Sequence, residues 1–435
     1  METMLKRLRA LNLAQPILVV GMGLSGRATL DLLREAGYEA WGVDEKFSER
    51  RIYQRDLNDP AALAEAQTLV ISPGIDRRKP AIAGSFAAQL NDIEIFARLN
   101  DRPVLAVTGS NGKSTVVSLL QEALRSVGKA SELCGNIGRS VLETLFQAPA
   151  AEVFVLELSS YQLELCPSLN PHVGAILNIT PDHLDRYDSF ADYAAAKARL
   201  AVQSTICVLN GDDEHCLALA EEAQNVIYFG TAPTMANRVA EGALYIKNQK
   251  ILEVAELQLN GTHNASNVLC ALLMLQALGL EPAALLPALK RFPGLPHRSQ
   301  TVAEVNGVRY IDDSKATNIG ATAAALAGLK APVYLIAGGV GKGQDFDLLA
   351  REIQRHKVKK ILLIGTDNAA MTAAFRAAGL DFEDCGDMVR AVQRAKALAQ
   401  PGEVVLLAPA TASFDQYSGY DARGNHFAYE AQNSC

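Results

Sequence analysis

The octapeptide TGSNGKST at residues 108–115 follows the apolar run VLAV at 104–107 and precedes an amphipathic stretch at 115–127. A strand, a glycine-rich loop and a helix in this order are typical of a phosphate-binding loop, whose backbone N–H groups cradle an anion at the helix start. Position 107 is Val, so the usual G-x-x-x-x-G-K-[ST] motif is not met and the loop is shorter, G-x-x-G-K-S. The chemistry survives this shortening, because Lys113 still places a cation on the phosphate and the Ser114 hydroxyl can still reach Mg²⁺. We therefore predict a phosphate site here; a plain turn with a surface lysine is the alternative.

The pattern of a short apolar run followed by a helical stretch recurs along the chain. Parallel strands buried on both faces of a sheet require such continuous apolar runs, and the runs lie at 16–21, 69–72, 104–109, 153–158, 173–179, 333–338, 361–365 and 404–408. Apolar residues at three- and four-residue spacing lie between them, as at 27–36, 115–127 and 267–278. The chain is thus predicted to be α/β throughout.

The length of 435 residues corresponds to about three domains of ~150 residues each. Residues 91–103 separate the first group of strands from the second, and a segment with two prolines and a glycine, FPGLPHR at 292–298, marks a second boundary. We predict three units, at 1–95, 96–297 and 298–435.

The composition excludes several classes of protein. Hydrophobic residues make up 49% and charged residues 20% of the chain, which excludes wholesale disorder. The net charge of −7 argues against non-specific nucleic-acid binding. The 7 cysteines include no C-x-x-C pair, so a reducing compartment is expected rather than a disulfide framework or a structural zinc site. No apolar run approaches the ~18 residues of a membrane span. We expect a cytoplasmic protein that binds neither nucleic acid nor membrane.

A second glycine motif, GMGLSG at residues 21–26, follows the first apolar run and opens a helical stretch, and Asp44 comes about 20 residues later. This is the dinucleotide-binding fingerprint in its expected context. By itself it predicts a nicotinamide or flavin cofactor. The same groups would equally bind the diphosphate and ribose of a nucleotide sugar, and glycines that only tighten a turn are a third interpretation.

Two further motifs in the middle of the chain point to metal ions. Glu157 ends the run VFVLE, and a carboxylate at the end of a buried strand near a phosphate loop is typical of a site that holds a divalent cation. NITPDHLD at 178–185 places His183 just past another strand, where α/β sheets bind their ligands. Lys197 follows on an Ala-rich helical stretch, where a lysine is ordinarily solvated.

Four motifs in the last third of the chain are weaker. GLPHR places Arg298 at the proposed hinge, where it could clamp a polyphosphate, although a Pro/Gly linker is the simpler interpretation. The other three follow strands and would meet at one sheet edge, although each could be a simple turn: DDSKATN at 312–318, AGGVGKG at 337–343 and PATASFDQY at 409–417.

Taken together, the motifs resemble the Mur ligase family. The resemblance runs in order from residue 17 to residue 427 and is carried by TGSNGKST, LELSSYQLE, NITPDHLD, Lys197, HNASN at 263–267, GLPHR, DDSKATN and PATASFDQ. It implies an N-terminal Rossmann-like domain, a central P-loop-type ATP-binding domain and a C-terminal Rossmann-like domain. It also implies ATP-dependent ligation of D-glutamate to UDP-N-acetylmuramoyl-L-alanine through an acyl phosphate, by a monomer in the cytoplasm during peptidoglycan precursor synthesis.

The resemblance implies a role for particular residues. ATP would be bound by Gly109, Ser110, Asn111, Gly112, Lys113, Ser114 and Thr115 at the phosphates, with Asn267 at the adenine, Asp313 at the ribose and Arg298 at the phosphates. One Mg²⁺ would be held by Ser114 and Glu157 and a second by His183 and Lys197, the lysine being carbamylated. The catalytic set would be Lys113, Glu157, His183 and Lys197.

The two other substrates would have their own residues. The uridine diphosphate would be bound by Gly23, Leu24, Ser25, Asp44, Ser72, Pro73 and Gly74, and the muramoyl-alanine part by Asn136, Ser159, Gln162 and His183. D-glutamate would be bound by Thr317, Lys342, Ser413, Phe414 and Tyr420. These residues indicate a dicarboxylate amino acid without distinguishing D- from L-glutamate. A nicotinamide-dependent oxidoreductase would leave TGSNGKST, Glu157 and DDSKATN unexplained, whereas a non-catalytic nucleotide-sugar sensor would bind ATP without turnover.

Overall fold

The computed structural model describes residues 1–45, 54–59, 61–259, 261–341 and 343–433. Its first part is a parallel sheet whose central strand, ILVV, is buried throughout, as the continuous apolar run requires. The strands are β1 (Ile17–Val20), β2 (Ala40–Asp44), β3 (Gln54–Asp56), β4 (Thr68–Ile71) and β5 (Ala88–Leu90), in the order β3-β2-β1-β4-β5. The helices are α1 (Glu2–Ala10), α2 (Leu24–Glu35), α3 (Pro80–Ala83) and α4 (Asp92–Leu99).

The order of this sheet reverses between β1 and β4, so the loops that follow these two strands flank a switch point, where α/β sheets bind ligands. The motif GMGLSG and the turn Ser72-Pro73-Gly74 are those two loops. Helix α4 begins at the cap Asn91, whose side chain accepts from the Glu94 N–H. This helix continues across residue 95, which the sequence analysis took as a boundary.

A second parallel sheet lies in the middle of the chain, in the order β11-β10-β9-β6-β8-β7. Its strands are β6 (Val104–Thr108), β7 (Ser131–Gly135), β8 (Val153–Glu157), β9 (Val173–Ile176), β10 (Ile206–Asn210) and β11 (Val226–Phe229). The helices that pack with it are α5 (Lys113–Ser126), α6 (Val141–Gln147), α7 (Ser160–Leu163), α8 (Phe190–Gln203), α9 (Glu214–Ala218), α10 (Thr262–Ala277) and α11 (Pro282–Arg291).

A small antiparallel sheet, which the sequence analysis did not predict, is inserted before α10. It consists of β12 (Arg238–Ala240), β13 (Ala243–Ile246) and β14 (Gln249–Glu253). Leu244 and Ile246 of this sheet join the core around α10, so the insertion covers an otherwise exposed side of the central sheet.

The last part of the chain forms a third large sheet, in the order β15-β16-β20-β17-β18-β19, which is parallel except for its antiparallel edge strand. Its strands are β15 (Gln300–Val305), β16 (Val308–Asp312), β17 (Val333–Ala337), β18 (Val358–Ile364), β19 (Phe382–Gly386) and β20 (Val404–Leu407). Its helices are α12 (Ile319–Ala327), α13 (Phe346–Gln354), α14 (Ala369–Ala377), α15 (Met388–Leu398) and α16 (Tyr420–Asn433). The multi-domain α/β prediction with parallel sheets is therefore confirmed.

Two further expectations from the composition are that the cysteines form no disulfide framework and that no segment spans a membrane. Within the described ranges the cysteines are Cys134, Cys166, Cys207, Cys216, Cys270 and Cys385, all of them buried free thiols. None of the described helices combines the length and the apolar character needed to cross a bilayer.

Candidate active site

A cavity of about 310 Å³ lies where the carboxyl ends of the central strands face those of the C-terminal sheet. Most of the predicted site residues line it, although they come from positions 300 residues apart in the chain. They are Ser110, Asn111, Gly112, Lys113, Ser114, Asn136, Glu157, Ser159, His183, Lys197, Arg298, Thr317, Ser413, Phe414 and Tyr420. The topology thus brings together residues of the predicted ATP site, of both predicted metal sites and of the predicted amino-acid site.

The phosphate loop leaves β6 through two glycines in the left-handed half of backbone space, Gly109 (φ +146°) and Gly112 (φ +88°). A Cβ on Gly112 would lie 2.8 Å from Oδ1 of Asn267, so the loop and the start of α10 are in contact. Lys113 Nζ donates to the carbonyl oxygens of Gly109 (2.7 Å) and Ser110 (3.0 Å). The lysine therefore lies over its own loop, where a bound phosphate would meet it.

The start of α5 is joined to the C-terminal part of the chain by one hydrogen bond. Arg298 Nη2 donates to Ser114 Oγ at 2.8 Å. The guanidinium thus lies beside the phosphate loop. Thr115, the next residue, is buried behind the loop.

Glu157, at the end of β8, is only 3% exposed. Its Oε1 accepts from Asn136 Nδ2 at 2.8 Å, whereas its Oε2 is buried and has no hydrogen-bond partner among the described residues. A buried carboxylate oxygen without a donor is costly. A hard divalent cation would satisfy it, so the donor set fits the predicted Mg²⁺.

Lys197 is 2% exposed, contrary to what its Ala-rich helix suggests. Its Nζ donates to the carbonyl oxygen of Gly109 at 2.9 Å and lies 4.7 Å from the centroid of the Tyr193 ring. Burial and the nearby Lys113 charge hold the pKa of the Lys197 amine well below its usual value, and the Asp182 and Glu157 carboxylates oppose this shift only in part. The site therefore favours a neutral amine.

His183 has a left-handed backbone (φ +56°), which turns its side chain back toward the cavity. Its ring contacts the Tyr161 ring edge to face, with centroids 5.3 Å apart, and its Nε2 lies 3.7 Å from Asp182 Oδ2. The same carboxylate oxygen accepts from Asn318 Nδ2 at 3.0 Å. Asp182 therefore joins the histidine turn to the C-terminal sheet.

Four of the five residues predicted to bind the amino acid line the cavity together with the phosphate loop: Thr317, Ser413, Phe414 and Tyr420. Ser413 is buried, Phe414 is 74% exposed, and Tyr420 presents its ring to Lys315 Nζ at 3.9 Å. Thr317 precedes the cap of α12. Lys342 lies outside the described residues.

Asp313 follows β16 close to this cavity. It accepts from Ser299 Oγ at 3.1 Å, and burial raises the pKa of its carboxyl to about 7.

The residues predicted to bind the UDP-substrate fall into two groups. The first group lies at the edge of the first sheet: Gly23, Leu24 and Ser25 at the start of α2, Asp44 at the end of β2, and Ser72, Pro73 and Gly74 in the turn after β4. There the Met22 N–H donates to Asp44 Oδ2 at 2.5 Å, Ser25 hydrogen bonds to Asp92, and Ser72 Oγ donates to the Gly21 carbonyl at 2.8 Å. Asn136, Ser159 and His183 line the active-site cavity. Gln162 lies behind it, where it completes a capping box with Ser159.

Two residues of this site were not selected from the sequence: Asn318, which stood in the quoted motif DDSKATN, and Tyr193, which stood in no quoted motif. Asn318 exchanges hydrogen bonds with Asn111 of the phosphate loop, at 3.1 and 3.2 Å. Tyr193 hydrogen bonds to Ser110 Oγ at 2.9 Å. Asn318 is the cap of α12, and its Oδ1 accepts from the Ala321 N–H. Nothing in the sequence pairs this residue with a loop more than 200 positions away.

In the ranges that the structure describes, no group of three or more His, Cys, Asp and Glu side chains is arranged to hold a metal ion. The predicted metal sets are of another kind, because each combines a carboxylate or an imidazole with a hydroxyl or a modified lysine.

The comparisons with known proteins agree with this geometry. Residues 107–275 match the family model of the Mur ligase middle domain, and residues 297–411 match that of the Mur ligase glutamate ligase domain. The chain is 42% identical to the UDP-N-acetylmuramoylalanine–D-glutamate ligase of Alcanivorax borkumensis, over 96% of this chain and 98% of the relative. It is 37% identical to the enzyme of the same name from Shigella boydii, over 95% and 97%.

Solved structures share the fold at low sequence identity. A MurF ligase from Thermotoga maritima in complex with ADP aligns with a TM-score of 0.64 at 15% identity, over all of both chains. The UDP-N-acetylmuramate-alanine ligase of the same organism aligns with a TM-score of 0.60 at 17% identity, over 97% of this chain and all of that one. With two matching domains and relatives above 30% identity over nearly the whole length, the chain belongs to the Mur ligase family of ATP-dependent, amide-bond-forming ligases.

Proposed function

We propose that this chain ligates D-glutamate to UDP-N-acetylmuramoyl-L-alanine, with conversion of ATP to ADP and phosphate, in peptidoglycan precursor synthesis. The curated relatives carry the name of this reaction, and their length matches that of the chain. The observation that carries the proposal is the single cavity lined by the phosphate loop, Glu157, Lys197 and the C-terminal loops.

The chemistry needs this arrangement. A carboxylate is a poor acyl donor, because its oxygen must first become a leaving group, and transfer of the γ-phosphoryl group of ATP to it gives an acyl phosphate. Lys113 stabilises the charge on the phosphoryl group during transfer. The neutral amine of glutamate then attacks the acyl carbon and forms the C–N bond. Phosphate leaves with the C–O electron pair, and the nitrogen loses one proton to the departing phosphate or to water. His183 orients this centre at the cavity wall. The C-terminal loops exclude water, which would hydrolyse the acyl phosphate.

Two Mg²⁺ ions complete the proposed site. Ser114 and Glu157 would hold one, and His183 and Lys197 the other. The bound ions would neutralise phosphate charge and orient the oxygens of the transferred group. The orphaned Glu157 Oε2 is the observation that supports the first site.

Lys197 enters the second site as a carbamate. Its neutral amine would attack CO₂, forming a C–N bond and losing one proton, which replaces a cation with an anionic oxygen ligand suited to Mg²⁺. The buried position and the lowered pKa of Lys197 support this step, because only the neutral amine has a free electron pair.

The other residues have the roles that the family resemblance implies. ATP lies on residues 109–115 with Asn267 at the adenine, Asp313 at the ribose and Arg298 at the phosphates. D-glutamate lies between Thr317, Lys342, Ser413, Phe414 and Tyr420. The UDP moiety lies at the edge of the first sheet, and its muramoyl-alanine part reaches Asn136, Ser159, Gln162 and His183. The units are a Rossmann-like 1–95, an ATP-binding 96–297 and a Rossmann-like 298–435, in a monomer of the cytoplasm.

The test is phosphate release from ATP with UDP-N-acetylmuramoyl-L-alanine, adding D-glutamate or L-glutamate separately. Release that depends on D-glutamate is expected. Release with L-glutamate alone would keep the ligase and change the substrate. No release with either, while ATP still binds, would overturn the proposal in favour of a nucleotide-sugar sensor.

A further inference from the structure

A second cavity, of about 600 Å³, lies between the loops of the first sheet and the central helices α7 and α8. Arg186 lies on its wall and reaches across to the loop that follows β4. Its Nη2 donates to the Ile75 carbonyl oxygen at 2.9 Å, and its Nη1 donates to the Gly74 carbonyl oxygen at 3.3 Å. One planar guanidinium thus joins this loop, residues 72–75 and called the diphosphate loop below, to the central part of the chain.

The other side of Arg186 belongs to the active site. Its guanidinium carbon lies 4.6 Å from the centroid of the Tyr161 ring, and the edge-to-face contact of that ring with His183 completes the connection. Tyr161 is also stacked on Tyr187 with an interplanar angle of 9°, which holds its ring in place. The Arg186 N–H donates to the His183 carbonyl at 2.9 Å, so the two residues share one turn.

The diphosphate loop does not need Arg186 for its own conformation. The Ser72 N–H donates to the Val20 carbonyl at 2.9 Å, and the Ile75 N–H donates to the Ser72 carbonyl at 3.0 Å. With the Ser72 Oγ bond to Gly21, these contacts anchor the loop within the first sheet. Arg186 contributes instead to the position of that loop relative to the His183 turn, and its Nε also lies 3.5 Å from Asp76 Oδ2. Arg78 joins the same two segments from the other side, because its Nη2 donates to the Asp185 carbonyl oxygen at 2.6 Å.

We propose that Arg186 is a positioning residue that sets the span between the diphosphate loop and the His183 turn, and thereby selects a UDP-substrate of the right length. The inference rests on the proposed function, in which the UDP moiety binds at one end of this span and the carboxylate reacts at the other. Two fixed carbonyl oxygens suit the rigid fork of an arginine, which the single ammonium of a lysine does not reproduce. A displaced end would misplace the reacting carboxylate, and small misplacements cost large factors in rate.

The test compares Arg186→Ala and Arg186→Lys with wild type and with Arg199→Ala. Arg199 lines the same cavity, but its guanidinium donates to the Glu164 carbonyl, at 3.1 Å and within the central part of the chain. The measurements are the Kd of UDP by calorimetry, and the KM of UDP-N-acetylmuramoyl-L-alanine and of ATP by phosphate release.

We expect Arg186→Ala to raise the KM of the full UDP-substrate by about tenfold and to lower kcat, because the reacting end is misplaced. The Kd of UDP and the KM of ATP should stay within about twofold, since neither ligand spans the two ends. Arg186→Lys should recover less than half of the loss, and Arg199→Ala should resemble wild type. A general loss of structure would instead weaken all ligands together; if the alanine variant does not fold, the lysine variant carries the test.

Two results would overturn the inference: an unchanged KM for the full substrate, or an equal loss of affinity for UDP alone. Failure of the proposed function has a different signature, namely wild-type protein that releases no phosphate with D-glutamate. In that case Arg186 is still tested by binding alone. The ratio of the Kd of the full UDP-substrate to the Kd of UDP should be higher for Arg186→Ala than for wild type. Wild-type protein that binds neither would refute both.

Discussion

The glycine loop after β1 and the glycine loop after β6 follow the same plan. Each leaves a buried parallel strand through a glycine with positive φ, Gly21 at +92° and Gly109 at +146°, and each leads to a helix capped by a glycine. They differ in charge. In the first loop the Met22 N–H donates to the carboxylate of Asp44, which ends β2. In the second, the Lys113 ammonium lies over the carbonyl oxygens of its own loop.

This difference separates two tasks that one fold performs. Backbone N–H groups and a helix N-terminus are enough to hold a diphosphate that takes no part in the reaction. A phosphoryl group in transfer needs fixed positive charge where negative charge develops.

Lys113→Ala should lower kcat by about 10³-fold or more, because it removes the cation that stabilises the transferred phosphoryl group. The UDP-substrate should bind as in wild type, since its diphosphate lies on the other loop. Phosphate release and calorimetry with the UDP-substrate measure the two effects. Loss of both would mean that the two loops are not separate sites.

Lys197→Ala should lower activity by about 10²-fold, because it removes a proposed metal ligand. A short carboxylate such as formate or acetate should partly restore activity by occupying the space of the carbamate. The matched control is Lys113→Ala. No added carboxylate should rescue that variant, because the group it has lost is a cation. A fully active Lys197→Ala enzyme would remove the carbamate from the mechanism.

Gly26→Ala should destabilise the first sheet by about 2 kcal/mol, since an added methyl group overpacks the site. Its Cβ would lie 1.9 Å from the Gly21 carbonyl oxygen, and α2 would have to shift. Gly23→Ala is the control, because a Cβ there meets nothing within 4 Å. Thermal unfolding is the measurement; equal destabilisation by the two substitutions would contradict the packing argument.

The KM of ATP should fall by up to about tenfold between pH 6 and pH 8, because the pKa of Asp313 is raised to about 7. Below that value the carboxyl is protonated, and above it the carboxylate accepts hydrogen bonds from the proposed ribose hydroxyls. Asp313→Asn should give a KM that is higher at pH 8 and nearly independent of pH. A wild-type profile without this slope would count against the ribose contact.

Much of the fold was predictable because buried parallel strands are continuous apolar runs. The predicted run 69–72 is offset by one residue from Thr68–Ile71, and the runs 104–109 and 404–408 each extend one residue past the observed strands. The sheet at Arg238–Glu253 gave no such signal, since its strands are short and Gln249 and Lys250 are exposed. Asp92–Leu99 lay in a stretch interpreted as a separator, although Asn91 is a regular helix cap.

The site was predictable only as far as local motifs and the family resemblance reach. Lys197 stands in a stretch that predicts a solvated surface, and its burial depends on Tyr193 and the carbonyl of Gly109. Gln162 was selected as a substrate contact, whereas in the structure it completes a capping box with the helix cap Ser159. The role of Arg186 could not be predicted from the sequence. It donates to the backbone carbonyl oxygens of Gly74 and Ile75, which lie more than 100 positions away and which any residue type would supply.

The hydrogen bonds between Asn111 and Asn318 have a consequence for the energetics of binding. Asn111 belongs to the loop that would receive ATP, and Asn318 follows Thr317 on the glutamate side. If ATP changes the affinity for glutamate by some factor through this amide pair, thermodynamic reciprocity requires that glutamate change the affinity for ATP by the same factor. A single pair of side-chain amides therefore links two binding isotherms, and the coupling can be measured from either side.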